Sequence, residues 1–422
     1  MGVSSILENF RGYFKEYKDL PKPIYFLFLA RIINSLGAFV GPLMTLLLTD
    51  KIGLSTAEAG SYVTISIAMY VPASMVGGYL SDHYNRKYTL FILTLLQSFC
   101  YIICGLIEVS MLIPILLISA SFFSYAAQPA SASIAADLTD KDTRQGAFSL
   151  IYLGNNIGFS IGPLIAGFLY KKYLPLLFIG DAVTTIIATI VIFLNIPETK
   201  PQYVLDEEES SKDYERAEEG SALSVLLKRP QILAFAIISM LLTFSYSQVG
   251  FSLPLYAKDI FGIEKGAQVF GMLMSTNGIV VVLMTVFIIG KTKKYEPSFN
   301  VSLSGVFWAA GFGMLYFATT ISMLIISTVL WTIGEILNAT NVGVYIANNT
   351  PKSHRGRFNS LYGIISGTGQ ALGPVVIGSY LLNNPIKNVW LIISFIALLC
   401  ALIMYFFYIY EHSKLRFREK TR

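Results

Sequence analysis

Long apolar stretches separated by short polar ones run along almost the whole chain of 422 residues. A helix needs roughly 20 apolar residues to cross the hydrocarbon core of a bilayer, and the chain contains a dozen runs of that length. The predicted spans are 23–49, 59–81, 88–109, 111–136, 146–170, 174–196, 231–257, 266–290, 298–318, 320–348, 359–383 and 387–411. The pattern therefore predicts an all-α membrane protein with twelve transmembrane helices.

The composition agrees with a chain that lies largely in lipid. Hydrophobic residues make up 54% and charged residues 14%, against roughly 45–50% and about 25% in soluble domains. This balance excludes a soluble enzyme with a polar shell, and it excludes a disordered chain outside the loops. The net charge of +5 belongs to the loops, so we expect contact with the lipid bilayer and none with nucleic acid.

Several kinds of chemistry have no motif in the sequence. The three cysteines lie inside apolar runs, and the three histidines are scattered, so neither a disulfide framework nor a metal site is indicated. There is no phosphate-binding loop and no HExxH pair. We therefore expect no cofactor, no metal and no enzymatic activity, and we expect an ion gradient or the substrate's own gradient to supply the energy.

The distribution of Lys and Arg predicts the orientation. With both termini inside, 24 of the 31 basic residues fall on the cytoplasmic side and six in the outer loops, which is the bias that orients membrane proteins. The segment 1–22 has no signal-peptide pattern, and the first apolar run is too long for one. The sequence thus predicts a multi-pass protein of the plasma membrane with cytoplasmic termini.

One internal segment, 197–230, is charged and poor in apolar residues, so it is interpreted as a solvated cytoplasmic linker. It separates a six-span domain, 23–196, from a second one, 231–411, which a basic tail, 412–422, follows. A shift of 211 residues places span five on span eleven with seven identities in 24 positions. The matched pairs are Arg144/Arg355, Ser149/Ser360, Leu150/Leu361, Gly158/Gly369, Gly162/Gly373, Pro163/Pro374 and Gly167/Gly378. The chain is therefore predicted to fold as two pseudo-symmetric six-helix bundles.

The loop after span two carries a specific motif. It reads Gly77-Gly78-Tyr79-Leu80-Ser81-Asp82-His83-Tyr84-Asn85-Arg86-Lys87. Gly78, Leu80, Asp82, Arg86 and Lys87 match the loop signature of the major facilitator transporters, which this chain resembles. Asn85 stands where that family has Gly, and Asn is the residue next best suited to a left-handed turn.

The resemblance implies a charge network at the cytoplasmic mouth. In the family an acid at the end of span four, here Asp137, joins the Asp and Arg of the loop, here Asp82 and Arg86. Such contacts would tie the two halves together in one state and break in the other. The alternative is a solvated basic loop that serves only orientation.

Span five contains Gly158, Gly162, Pro163 and Gly167 at the spacing of the helix-bend motif of drug:proton antiporters in the same superfamily. Its twin in span eleven has Gly369, Gly373 and Pro374. Proline bends a helix and glycines allow close contact at the bend. The resemblance thus favours antiport, although Gly-Pro bends are also common in other membrane helices.

Glu335, in the middle of span ten, is the first candidate for proton coupling. A charged side chain at the bilayer centre costs about 3 kcal/mol on insertion scales, which favours the neutral, protonated form and marks a functional candidate. Related antiporters with a Gly-Glu pair in span ten use that acid for protons or cationic drugs. The alternative is a protonated structural acid.

Two further charged residues lie inside the predicted spans. Arg31 in span one either snorkels to the cytoplasmic surface or faces the cavity as a counter-charge to Glu335 or to an anionic substrate. Asp181 in span six is either a second proton site or an interfacial residue. Leu117 stands about where the family often has an Arg in span four, which shifts proton transfer onto Glu335, Asp181 and Arg31.

Other polar residues within the spans are candidates for the substrate cavity. They are Asn34, Gln128, Asn156, Tyr246, Gln248, Asn277, Asn338 and Gln370. The leading hypothesis is a monomeric exporter that exchanges protons for amphipathic or cationic small molecules by alternating access. The alternatives are a proton-coupled symporter of a nutrient such as a sugar or peptide, and a non-transporting membrane receptor on the same fold.

Overall fold

The computed structural model of the chain describes residues 20–140, 143–199, 230–349 and 355–420. In these ranges the regular structure is helical, with sixteen α-helices and one π-helical turn, Leu47–Lys51. The α-helices of the first half are α1 Lys22–Leu36, α2 Val40–Leu46, α3 Thr56–Ala68, α4 Tyr70–His83, α5 Arg86–Leu106, α6 Leu112–Asp137, α7 Arg144–Phe159, α8 Gly162–Lys172 and α9 Leu174–Asn195. Those of the second half are α10 Pro230–Tyr246, α11 Gln248–Phe261, α12 Ile263–Thr292, α13 Pro297–Phe317, α14 Ile321–Asn349, α15 Arg355–Tyr380 and α16 Lys387–Lys420.

The predicted membrane spans are confirmed as helices. Among the described residues, eleven helical segments are long and apolar enough to cross a bilayer, and each begins and ends within a few residues of a predicted span. The remaining prediction, 359–383, corresponds to α15, which is 26 residues long but rich in Gly and Ser. Short breaks divide spans two, five and seven into two consecutive helices each, and span one into α1 and α2, which the π-helical turn follows.

The first of two compact units comprises Met1–Met44 and Met69–Gln202. In it, α5 packs against α6 and α9, α4 packs against α6, and α1 packs against α7 and α9. The buried core between these helices is made of small and aliphatic side chains, such as Ile24, Ala126, Ala130 and Ile134. Small residues allow helix backbones to approach closely in a membrane, where lipid offers no hydrophobic driving force for helix association.

The second unit comprises Thr45–Ala68 and Tyr203–Arg422. In it, α13 packs against α14 and α16, α12 against α11 and α14, and α10 against α15 and α16. The segment Thr45–Ala68 contributes α3, which packs along α15. The end of the first predicted span and the start of the second therefore associate with helices of the second half of the sequence. The predicted boundary at the linker 197–230 stays a prediction, because most of that linker lies outside the described residues.

The same helix pairs recur in the two halves of the sequence. Span one packs against spans five and six in the first unit, as span seven packs against spans eleven and twelve in the second. The pairs three–four, three–six and two–four likewise reappear as nine–ten, nine–twelve and eight–ten. The duplication that the sequence identities indicate is therefore also a duplication of helix packing.

Two adjacent glycines in α4 differ in their surroundings. A Cβ atom on Gly77 would overlap the backbone carbonyl group of Ala126 in α6, whereas a Cβ atom on Gly78 would meet nothing within 4 Å. The family signature draws attention to Gly78, yet the close helix–helix contact depends on Gly77. The sequence signal for this contact is the Gly-Gly pair itself.

This difference gives a matched pair of substitutions. Gly77→Ala is expected to destabilise the protein by about 1–3 kcal/mol, because the added methyl group forces α4 away from α6. Gly78→Ala is expected to be neutral or stabilising by up to about 1 kcal/mol, because Ala is the better helix former. Thermal unfolding of both variants in detergent measures the effect, and equal midpoints would contradict the contact at Gly77.

Candidate functional site

Glu335 lies in α14 and faces two other helices of the second unit. Its Oε2 atom accepts a hydrogen bond of 2.6 Å from Nδ2 of Asn277 in α12, and the side chain of Tyr246 in α10 also hydrogen-bonds to the carboxyl group. Asn277 Nδ2 donates in addition to Oγ1 of Thr332, one turn before Glu335, at 3.0 Å. The acid is therefore half-buried inside a helical bundle and held by neutral polar groups.

The polar face of α14 continues one and two turns further along the helix. Asn338 follows Glu335, and its Nδ2 atom is buried without a hydrogen-bond acceptor among the described residues. Asn341 follows next, and its Oδ1 atom accepts a bond of 2.8 Å from Asn300 of α13. Three polar side chains at helical spacing thus share one face, as the sequence predicts.

Aromatic side chains surround Tyr246. Its ring stacks on Trp308 with centroids 5.3 Å apart and meets Trp331 edge-on at 6.2 Å. Trp308 is buried and donates its indole N–H to the carbonyl oxygen of Trp331. These rings fix the position of Tyr246 beside the carboxyl group of Glu335.

A polar cavity of about 100 Å³ lies in the first unit. Its polar lining consists of Arg31, Asn34, Thr94, Gln97, Ser124, Gln128, Ser131 and Thr189, with no carboxylate among the lining residues that the structure describes. Arg31 donates to Oγ of Ser131 at 3.1 Å. Asn34 accepts a bond of 3.1 Å from Thr185. The structure thus brings together three of the predicted polar residues, namely Arg31, Asn34 and Gln128.

Asp181 lies at a break in span one. The helix α1 ends at Leu36, α2 begins at Val40, and Oδ2 of Asp181 accepts hydrogen bonds from the backbone N–H groups of Phe39 and Val40 at 3.1 and 3.0 Å. Buried amides at the start of a helix need such acceptors, and a carboxylate is favoured there. The position of Asp181 is therefore that of a structural cap, and its predicted role in proton transfer stays a prediction.

The predicted ion pair joins the start of α5 to the end of α6. The guanidinium group of Arg86 contacts the carboxylate of Asp137, so these two members of the predicted charge network lie together. The side chain of Asp82, the third member, lies outside the described residues. Asn85 does not adopt a left-handed turn: its φ is −63°, and its side chain caps α5 by accepting from the N–H of Tyr88.

Glu198 belongs to no motif in the sequence, yet its side chain contacts the backbone at the start of α5. Its carboxylate accepts from the backbone N–H groups of Arg86 and Lys87 at 3.0 and 3.3 Å, at the first turn of α5. The ammonium group of Lys87 donates to the carbonyl oxygen of Ile196 at 2.8 Å. The composition of 197–230 predicts that residue 198 belongs to a solvated linker. In the structure its carboxylate instead lies at the N-terminus of α5, where a negative charge is favoured.

Replacing Glu198 tests this anchor. Glu198→Ala is expected to destabilise the protein by about 0.5–2 kcal/mol, because two amides of α5 lose their acceptor. Glu198→Gln keeps one acceptor oxygen and replaces the other with an N–H₂ group, so it is expected to lose part of this stability. Thermal unfolding in detergent provides the measurement, and an alanine variant as stable as the wild type would show that the anchor contributes nothing.

The two Gly-Pro motifs pack alike but bend differently. Gly158 and Gly162 lie against the backbone of α1. Their twin Gly369 lies against the backbone of α10, and Gly373 lies against the side chains of Ser247 and Gln248, where α10 ends and α11 begins. Span five breaks before Pro163, so that α8 starts at Gly162, whereas α15 continues through Pro374 as one helix. Gly167 is buried within α8. The motif therefore presses span five onto span one, and span eleven onto span seven.

The remaining predicted cavity residues do not join these clusters. Asn156 donates to the carbonyl oxygen of Tyr152 on its own helix. Gln248 is buried, and it donates to Ser247 and accepts from Ser252. Gln370 is exposed. Their roles in substrate binding stay predictions.

A row of contacts that the sequence does not signal links Thr45–Ala68 to α11 and α15. In the π-helical turn, Asp50 forms an ion pair with Lys258 of α11. Further along, the hydroxyl groups of Thr56 and Thr64 donate to carbonyl oxygens of α15 at 2.9 and 2.7 Å. Asp50 and Lys258 belong to segments that the Lys and Arg distribution places on the outer side.

Comparison with known proteins shows which protein family the chain matches and which relatives it resembles. Residues 27–301 and 266–422 match the model of the Major Facilitator Superfamily. The chain is 24% identical over 372 residues to the uncharacterized MFS-type transporter YqjV of Bacillus subtilis, covering 86% of this chain and 87% of that protein. It is 23% identical over 376 residues to a Na(+), Li(+), K(+)/H(+) antiporter of Planococcus maritimus, covering 82% and 86% of the two chains.

Solved structures with the same fold have much lower identity. A POT family transporter in complex with a thioalcohol-conjugated peptide aligns with a TM-score of 0.75 and 14% identity, over 92% of this chain and 96% of that one. The nucleoside transporter NupG aligns with a TM-score of 0.73 and 16% identity, over 92% and 99%. These similarities concern the arrangement of helices alone.

Proposed function

Because the chain belongs to the Major Facilitator Superfamily and is a multi-pass membrane transporter, we propose that it is a proton-coupled antiporter. It exports amphipathic small molecules, cationic ones included, across the plasma membrane by alternating access. Both termini lie in the cytoplasm, in agreement with the excess of Lys and Arg in the corresponding loops. The protein works as a monomer.

The observation that carries the proposal is the environment of Glu335. A carboxyl group inside a membrane bundle is expensive to keep charged, so it is retained where its charge changes during function. Here it is hydrogen-bonded by Asn277 and Tyr246, which are neutral donors. Neither donor neutralises a carboxylate as an Arg or Lys would, so the acid remains available to a proton or to a cationic compound.

Exchange follows from competition for this one acid. When Glu335 is deprotonated, its negative charge attracts the positive end of an amphipathic compound. Protonation removes that charge and releases the compound, while Asn277 and Tyr246 keep the side chain in place. A transporter that allows only one of the two occupants per passage moves protons and compound in opposite directions.

Proteoliposomes containing the purified protein test the proposal. With a pH-sensitive dye trapped inside, addition of rhodamine 6G or ethidium is expected to move protons against the direction of the compound. Empty liposomes are the control. Protons that move in the same direction as the compound would indicate symport, and the absence of compound-dependent proton movement would contradict the proposal.

A second candidate function is exchange of alkali cations for protons. The antiporter of Planococcus maritimus carries that activity in its name. Oxygen atoms of Glu335 and Thr332 meet at the amide of Asn277, and the side chain of Tyr246 hydrogen-bonds to the same carboxyl group, so the site offers the oxygen ligands that hard cations prefer. The same proteoliposomes distinguish the two functions when NaCl, LiCl or KCl replaces the dyes. Proton movement with these salts alone would favour cation exchange.

A further inference from the structure

We infer that the polar cavity around Arg31 binds an anionic group of the transported compound, most simply a carboxylate. The inference rests on the proposed function, because it names the chemistry of the compounds that the transporter prefers. These compounds would be zwitterionic amphiphiles, with a carboxylate and a positive end on an apolar body. The assignment concerns the first unit only, and it is independent of how Glu335 acts in the second.

The cavity has the size of a subsite for one chemical group. Its volume of about 100 Å³ is well below the roughly 300–1,000 Å³ of pockets that hold a drug-sized ligand. Half of the lining is polar, and aliphatic side chains such as Leu27, Leu90 and Ile192 form the rest. A small charged group fits such a space, while the apolar body of the compound would remain outside it.

Arg31 supplies the only formal charge among the described residues that line the cavity. Its guanidinium group has five N–H donors in a planar fork, and the hydrogen bond that the structure gives it goes to the neutral hydroxyl of Ser131. Among the described residues, no carboxylate forms an ion pair with it. A cation in a membrane bundle without a counter-charge is costly, and an incoming anion would remove that cost.

The side chains around Arg31 suit a carboxylate better than a second cation. Gln97 and Gln128 carry amide N–H₂ donors that can hydrogen-bond to a carboxylate oxygen. A planar carboxylate also accepts two parallel hydrogen bonds from one guanidinium group, which a Lys ammonium cannot offer. The snorkelling alternative for Arg31 does not explain why polar side chains of several helices surround the same space.

Two dyes that differ in one group test the inference. Rhodamine B has a free carboxylate, and its ethyl ester has the same cationic ring system without that negative charge. The full-length protein in detergent is expected to bind rhodamine B about tenfold more tightly than the ester, which is the difference in affinity that one charge-assisted hydrogen-bond pair contributes. Fluorescence polarisation of each dye measures the two affinities. Arg31→Gln is expected to bind the two dyes equally.

Two further variants complete the experiment. Arg31→Lys keeps the positive charge but lacks the fork, so it is expected to retain part of the preference; it also serves if the Gln variant does not fold. Glu335→Gln is expected to weaken binding of both dyes by the same factor, because both carry the positive charge that Glu335 attracts, and so to keep the tenfold ratio of their affinities while it loses proton exchange. A wild type without preference, or an Arg31→Gln protein that keeps the tenfold preference, would overturn the inference. Failure of the proposed function would appear separately, as absent proton movement in wild-type proteoliposomes.

Discussion

Replacing Glu335 with Gln is expected to abolish compound-driven proton movement while the protein remains folded. Gln has nearly the same shape as Glu, and its side-chain oxygen can still accept from Asn277 and Tyr246, the two groups that bond the acid. It cannot take up or release a proton. Proteoliposomes loaded with a pH-sensitive dye should show no response to rhodamine 6G, whereas thermal unfolding should stay close to the wild type.

Two substitutions of Asn277 separate the loss of the titratable acid from changes in its surroundings. Asn277→Asp places a second acid beside Glu335, while Asn277→Leu removes the amide donor. Both change the surroundings of the acid but leave its titratable group in place, so altered rates rather than complete loss are expected. If Glu335→Gln moved protons at the wild-type rate, Glu335 would have no part in coupling.

The second large effect is expected at Asp181. Asp181→Leu removes the acceptor of two buried backbone amides, those of Phe39 and Val40. Leaving a buried donor unsatisfied costs about 1–3 kcal/mol per group, so the leucine variant should unfold at a much lower temperature or fail to accumulate in the membrane. Thermal unfolding and the yield of purified protein measure this.

Asp181→Asn is the informative control, because Asn keeps an acceptor oxygen but cannot titrate. We expect it to fold and to move protons with compound, since the structure gives Asp181 a capping position. A folded Asn variant that loses proton movement would instead assign Asp181 to the proton path. The pair Asp181→Asn and Glu335→Gln thus compares the same loss of a titratable acid at the two candidate positions.

The sequence predicted the spans and the duplication because both depend on patterns that survive without tertiary information. Apolar runs of fixed length are set by the bilayer, and the shift of 211 residues is visible in the identities between span five and span eleven. The cluster around Glu335 was also predictable in part. Residues 335, 338 and 341 are spaced for one helix face, and an acid is conspicuous in an apolar span.

The contacts of single polar side chains were less predictable. The partners of Asp181 are backbone amides 141 and 142 residues away, at a break between α1 and α2 inside one apolar run. Glu198 lies in a stretch whose composition is that of a linker, although its first residues close the turn at Arg86. Sequence periodicity describes which face a residue occupies, but it does not say which distant backbone group meets that face.

The twin Gly-Pro motifs show a limit of the repeat itself. The identities suggest equal bends, yet Pro163 opens a new helix and Pro374 lies within a continuous one. Proline removes one backbone donor in either case. Whether the helix breaks at the proline therefore depends on the residues packed around it. These residues differ between the two copies, while the packing of each helix against its partner helix is the same.

The association of α3 with α15 bears on how the chain is assembled. Gly60 lies against the backbone of Pro374, and Thr56 and Thr64 donate to carbonyl oxygens of the same helix. During synthesis α3 enters the membrane long before α15 exists, so its final partner arrives only when almost the whole polypeptide has been made. Two fragments produced by cutting at the central linker would each carry one side of this seam, and the carboxyl-terminal fragment would expose a strip of small and polar groups to lipid until the other fragment covered it.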